Sequence, residues 1–121
     1  MGEEPGMIIV SAELEFENQQ DRDEAILKTT DIQMATRQEE AGCLAYCFAA
    51  DPAIATRIQV YELWENSSSL AAHFQHPNYT AMVDALVNSK VVSSSNRAYL
   101  AEKQEPVYHP DGSAKSAFFE G

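Results

Sequence analysis

Residues 56–79 (TRIQVYELWENSSSLAAHFQHPNY) hold the side chains best suited to chemistry. The first ten read as a strand. Strand side chains repeat every second residue, so Ile58, Val60, Glu62 and Trp64 share one face. That face is apolar except for Glu62, a carboxylate that needs a partner once buried. The residues that follow read as a short helix, in which Leu70, His73 and Phe74 fall at i, i+3 and i+4 and form one stripe. Set against each other, the two faces make a pocket with aromatic walls and two titratable groups.

The rest of the chain must position these groups. Residues 7–17 alternate as a half-buried strand: Ile8, Val10, Ala12, Leu14 and Phe16 on one side, Ser11, Glu13, Glu15 and Glu17 on the other. Asp21 with Glu24 reads as a capping-box helix start. The helix runs to about Glu40 with Ile26, Leu27, Thr30, Met34 and Arg37 as its inner stripe. Gly42 suits the position just past a helix end, where positive φ is wanted. Residues 43–49 form a second strand, with Leu44, Tyr46 and Phe48 on one face and Cys43, Ala45, Cys47 and Ala49 on the other. Asp51-Pro52 opens a hairpin loop into the 56–65 strand. Asn66 or one of the three serines after it caps the short helix. Pro77 opens the next helix from an N-cap at His76, with Tyr79, Met82, Val83 and Leu86 as a core stripe. Residues 91–102 make a fourth strand with a polar middle, and Arg97 is the cation nearest the expected pocket.

The order β-α-β-β-α-β is the ferredoxin-like unit, α+β, with a four-stranded antiparallel sheet and helices on one face only. Its other face is bare. Covering it calls for a second copy, so a homodimer packed through the sheet faces is expected. We divide the chain into an N-terminal extension (1–6), one domain (7–102) and a tail (103–121). The tail carries Pro106, Pro110 and Gly112 and ends in Phe118 and Phe119. It has no core of its own and is expected to pack on the partner subunit.

Charge and composition narrow the function. A formal net charge of −11 argues against nucleic acid, which needs a basic surface, and against anionic membranes. Apolar content of 45% suits a globular chain. Residues 1–6 lack the basic start and apolar run of a signal peptide, and no stretch is long enough for a membrane helix. The only cysteines, Cys43 and Cys47, lie about 13 Å apart on one strand, too far for a disulfide. These features describe a reduced, cytoplasmic protein. The cysteines and histidines show no metal-ligand spacing.

The segments MIIVSAEL from Met7, EEAGCLAY from Glu39 and YELWENSSSLAAHFQHPNY from Tyr61 resemble the antibiotic biosynthesis monooxygenase (ABM) domain. The order and spacing of Gly42-Cys43, Glu62-x-Trp64, His73 and Pro77 carry the resemblance, which extends to about Leu100. It implies the dimeric α+β barrel fold and a small-molecule site between sheet and helices. It also implies a monooxygenase acting on a small aromatic or quinol-like substrate with dioxygen, with no metal, flavin or other cofactor. Under that reading His73 is the base or proton shuttle. Trp64, Tyr46 and Phe74 stack on a planar substrate. Glu62 orients the histidine or a backbone group, and Arg97 stabilises an oxyanion. The haem-degrading branch of the superfamily carries a histidine and an asparagine where this chain has Val83 and the Ser11-Ala12 pair, which argues against haem turnover.

Each assignment has a plainer counterpart. His73 can instead bond a carboxylate or carbonyl and pin the short helix to the sheet. Trp64 can be core, Glu62 a structural acceptor, Tyr61 dimer interface, and Arg97 half of a surface ion pair. At the level of function, the alternatives are an isomerase of a small carbonyl compound and a non-catalytic ligand-binding dimer.

Overall fold

The computed structural model describes residues 6–121; the expected extension at 1–6 lies almost wholly outside them. The elements are β1 (Met7–Phe16), α1 (Gln19–Glu39), β2 (Cys43–Ala50), β3 (Arg57–Trp64), α2 (Ser67–His73), α3 (Pro77–Asn88) and β4 (Val91–Ala101). The strands lie in the order β2-β3-β1-β4, and every neighbouring pair is antiparallel. This is the ferredoxin-like α+β arrangement read from the sequence. The core lies between the sheet and the helices, built on Ala12, Leu14 and Phe16 of β1, Ile58, Val60 and Trp64 of β3, and Tyr46 and Phe48 of β2.

Helix α1 turns a different side inward from the one expected. Leu27 is 77% exposed and Met34 51%, while Arg22, Ala25, Thr29, Gln33 and Thr36 are buried. The reason is that β2 is an edge strand, and its outward N–H and C=O groups need partners. The Gln33 amide supplies both. Its Oε1 accepts from Phe48 N–H at 2.9 Å, and its Nε2 donates to Phe48 C=O at 3.3 Å. Arg37 Nε donates to the Tyr46 carbonyl at 2.7 Å. Arg22 extends the same service to the β2–β3 loop, where Nη1 lies 3.3–3.5 Å from the carbonyls of Asp51, Ile54 and Arg57. Hydrogen bonding to an open edge, rather than apolar periodicity, decides which side of α1 is buried.

The helix starts also differ in detail. Asn18 caps α1, its Oδ1 accepting from Asp21 N–H at 2.8 Å, so Asp21 is inside the first turn and not the cap. Asn66 caps α2 in the same way through Ser69 N–H, and His76 caps α3 through Asn78 N–H, with Pro77 opening the helix as expected. Gly42 is not at positive φ. It is needed for space: a Cβ there would lie 2.0 Å from Ser69 Oγ.

A register shift between Cys43 and Ala45 breaks the alternation of β2. The bulge turns Leu44 outward, 54% exposed, and pairs Cys43 with Trp64. Cys43 therefore lies on the helix side, against the core, and does not share a face with Cys47. Both thiols are free. Burial is the main reason the Cys43 thiol is pushed up to about 11, reinforced by the carboxylates of Glu40 and Glu62.

The bare face of the sheet carries Tyr61 and Tyr99, each about half exposed, together with ion pairs between Glu13 and Arg97 and between Glu15 and Arg57. After β4 the tail folds on itself. Tyr108 bridges Ala114 across a turn at Asp111-Gly112, and Glu105 holds both Lys115 Nζ and Phe119 N–H. Val107, Tyr108, Phe118 and Phe119 remain about half exposed.

Candidate active site

A cavity of about 600 Å³ lies between the sheet and helices α2 and α3. Sheet alternation supplies its floor: Val10 and Leu14 from β1, Val60 and Glu62 from β3, Tyr46 and Phe48 from β2. Helix α2 brings Leu70, His73 and Phe74, and α3 brings Tyr79 and Met82 with its neighbouring stripe. The fourth side is β4, whose Ser94, Asn96 and Ala98 face the cavity and are exposed, with Arg97 between them also bordering it, so the cavity opens along that strand.

His73 is the most constrained group in this site. Its side chain is 2% exposed, and Nδ1 lies 2.8 Å from Glu40 Oε1. An ionised Glu40 only accepts, which puts the proton of a neutral imidazole on Nδ1 and leaves Nε2 as its acceptor. Among the described residues no protein group bonds Nε2, and the ring lines the cavity. Nε2 is thus the nitrogen left for a ligand. Four aromatic rings hold the imidazole: Trp64 at 4.8 Å between centroids, Tyr46 at 5.4 Å, Tyr79 at 5.6 Å and Phe74 at 5.8 Å.

Glu40 is the residue that sequence reasoning missed. It is the C-cap of α1, with a buried side chain. Besides His73 it accepts from Asn78 Nδ2 at 3.1 Å, joining the end of α1 to α2 and α3. His76 Nδ1 is 3.7 Å away but already accepts from Asn78 N–H, so it leaves Glu40 to His73 and Asn78. A signal was present: a carboxylate at a helix C-terminus opposes the helix dipole, and such a misplaced charge implies another task.

Glu62 does not orient His73. Its Oε1 accepts from Trp64 Nε1–H at 2.9 Å. Burial holds its carboxyl above the usual glutamate range, with the Trp64 hydrogen bond and the nearby His73 opposing the shift and Glu40 adding to it. Trp64, 0% exposed, is not a wall of the cavity; it lies behind His73 and Glu62 and fixes both. Tyr46 and Phe74 do line the cavity, and burial pushes the Tyr46 phenol up.

Arg97 borders the cavity on β4 as expected, yet its guanidinium turns away from it. It pairs with Ser11 across the β1–β4 ladder, which puts its side chain on the bare face. There its guanidinium forks onto both Glu13 oxygens at 2.8 and 3.1 Å and also reaches Ser11 and Ser95. It is not available to an oxyanion in the cavity. The pairing also explains why the Glu13 carboxyl is held below its ordinary range.

Fold and site together define a ferredoxin-like α+β domain enclosing a small-molecule cavity. A family model described as antibiotic biosynthesis monooxygenase matches residues 7–85, and the chain belongs to that family. Solved structures agree. A Deinococcus radiodurans protein provisionally named as an antibiotic biosynthesis monooxygenase is 25% identical, with a TM-score of 0.74, covering 84% of this chain and 99% of its own. A Caulobacter crescentus protein with the same provisional name is 21% identical, TM-score 0.73, covering 82% and 92%. SnoaB of Streptomyces nogalater, described as a cofactor-independent oxygenase, shares the fold at 9% identity, TM-score 0.63, covering 84% and 98%. A search of curated proteins finds no match. Among the described residues no helix is long and apolar enough to cross a membrane.

Proposed function

We propose that this protein is an enzyme that oxidises a phenolic or quinol-type small molecule with dioxygen, using no metal or flavin. The observation that carries the reading is His73, fixed through Nδ1 on Glu40 and lining an aromatic cavity, with Nε2 left for the substrate. Family membership and the description of SnoaB support it. His73 Nε2 removes a proton from the substrate, and Glu40 stabilises the imidazolium. The substrate anion passes one electron to dioxygen, and the two radicals combine at a ring carbon bearing hydrogen. His73 returns its proton to the resulting peroxide. Loss of water then leaves a carbonyl, so one oxygen atom is retained and the other departs as water without an external reductant. Tyr46, Phe74 and Tyr79 stack on the ring and keep bulk water out.

The working unit is a homodimer packed through the bare sheet face, with Phe118 and Phe119 of each tail resting on the second subunit. Exposed Tyr61, Tyr99 and Leu44 support this arrangement. Two free thiols support a cytoplasmic setting. Truncation after Gln104 should weaken the dimer, read as molecular mass by light scattering; an unchanged mass sinks the tail's role.

The test of function is oxygen uptake by metal-free protein with a panel of quinols and hydroxylated aromatics, beside His73→Ala. Uptake that disappears in a folded variant is the expected result. Absence of uptake with every compound rules the oxygenase out.

A further inference from the structure

We propose that the cavity admits its ligand in the neutral form and rejects preformed anions, with Glu62 as the residue that sets this preference. The inference rests on the small-molecule reading of the cavity but is independent of turnover.

Glu62 faces the cavity with one oxygen held by Trp64. A single hydrogen bond leaves much of a buried carboxylate's charge uncompensated. The groups near it on other elements do not supply a free cation. From α1, Glu40 adds negative charge, and Arg37 is spent on the Tyr46 carbonyl at the sheet edge. From α2, His73 is matched by Glu40 even when protonated. From β2, Cys43 and Tyr46 are both held in their neutral forms by burial. From α3, Tyr79 brings a ring. From β4, the guanidinium of Arg97 lies on the other face, neutralised by Glu13.

With Glu62 ionised, an anion entering from water meets a carboxylate in a weakly polar cavity, and the arginine that borders it, Arg97, has its guanidinium held by Glu13 on the other face. At a separation of about 5 Å and an effective dielectric near 20, the repulsion corresponds to roughly a hundredfold in affinity. A neutral hydroxylated ring avoids it. Once inside, its proton passes to His73, and the new anion forms beside an imidazolium instead of being carried in. The open side of the cavity offers the neutral polar groups of Ser94 and Asn96, and Arg97, which also borders it, keeps its guanidinium on Glu13. This is selection by a repulsive element, not by an added attraction. It counts against phosphorylated and carboxylated ligands as a class.

The test is equilibrium binding, without turnover, of 2-naphthol and of 2-naphthalenesulfonate, which has the same ring system and a permanent charge. Calorimetry on the full chain should give at least tenfold weaker binding of the sulfonate. In Glu62→Gln, whose amide oxygen still accepts from Trp64, the sulfonate should gain at least about tenfold while 2-naphthol changes little. A companion measurement needs no variant. Binding of para-nitrophenol should weaken as pH rises through its ionisation, because the preformed phenolate is refused. Equal affinity for the two naphthalenes, or an undiminished gap in Glu62→Gln, overturns the proposal while leaving the oxygenase reading intact. Failure of both probes to bind overturns the cavity reading itself.

Discussion

The two edges of the sheet are treated in opposite ways. At β2 open backbone groups of Phe48 and Tyr46 are paired by polar side chains of α1, Gln33 on Phe48 and Arg37 on Tyr46, with Arg22 on the adjoining loop. At β4 contact with the helices is slight, the serines of the strand are exposed, and the cavity opens between it and α3. One edge is closed by hydrogen bonds that hold the fold, and the other leaves the cavity open to solvent. The same chain thus concentrates rigidity beneath His73 and Glu62 and access beside Asn96. Sites need this division, because a group that handles protons must be held within a fraction of an ångström while its ligand comes and goes.

The sharpest way to break the contrast is to disturb the rigid side at its functional tip. His73→Ala is expected to cut oxygen uptake by roughly 10²–10⁴-fold. His73→Gln, which can still meet Glu40, separates lost chemistry from lost packing. On the closed edge, Gln33→Leu leaves Phe48 N–H and C=O without partners and should cost about 2 kcal/mol in denaturant melts, with ligand affinity nearly unchanged. If instead it abolishes binding, the two edges are not independent.

Glu40→Gln keeps a hydrogen bond to His73 but removes the charge that stabilises imidazolium. Uptake should fall by about tenfold, with its pH profile displaced and the fold kept. Glu62→Gln acts on stability. Because the folded carboxyl binds its proton more tightly than the unfolded one, Glu62 makes stability fall as pH rises from the ordinary glutamate range through the raised folded value. The variant should lose that slope and be more stable near neutral pH by about 1 kcal/mol, measured as melts across pH. The smallest effect belongs to the open side's neighbour. Arg97→Ala should leave affinity for a neutral ligand within about twofold, because its guanidinium is on the other face. A large loss would put it back in the site.

Much of this organisation is legible in the sequence. Alternation in residues 7–17 and 56–65, and the Asn66 and His76-Pro77 signals, give the element order, and Glu62, His73, Tyr46 and Phe74 do converge on one cavity. What periodicity could not reveal has a common cause: partners distant in sequence. The buried side of α1 depends on an edge strand that the helix itself cannot announce. The face of Cys43 depends on a bulge opposite β3. Arg97 sits one residue from the cavity face, and in a strand one residue reverses the side. Glu40 looked like one more acid in an acidic chain until His73 was brought against it.

Gly42 carries a further implication. Its missing side chain is what lets Ser69, and with it α2, lie against the start of β2. A methyl group at position 42 would lift the helix that carries His73, changing the shape of the cavity from outside it. Only a smaller residue at 69 would restore the seat. Across relatives the two positions should therefore vary as a pair, and a laboratory selection for new ligand shapes should find them before it finds any wall of the cavity.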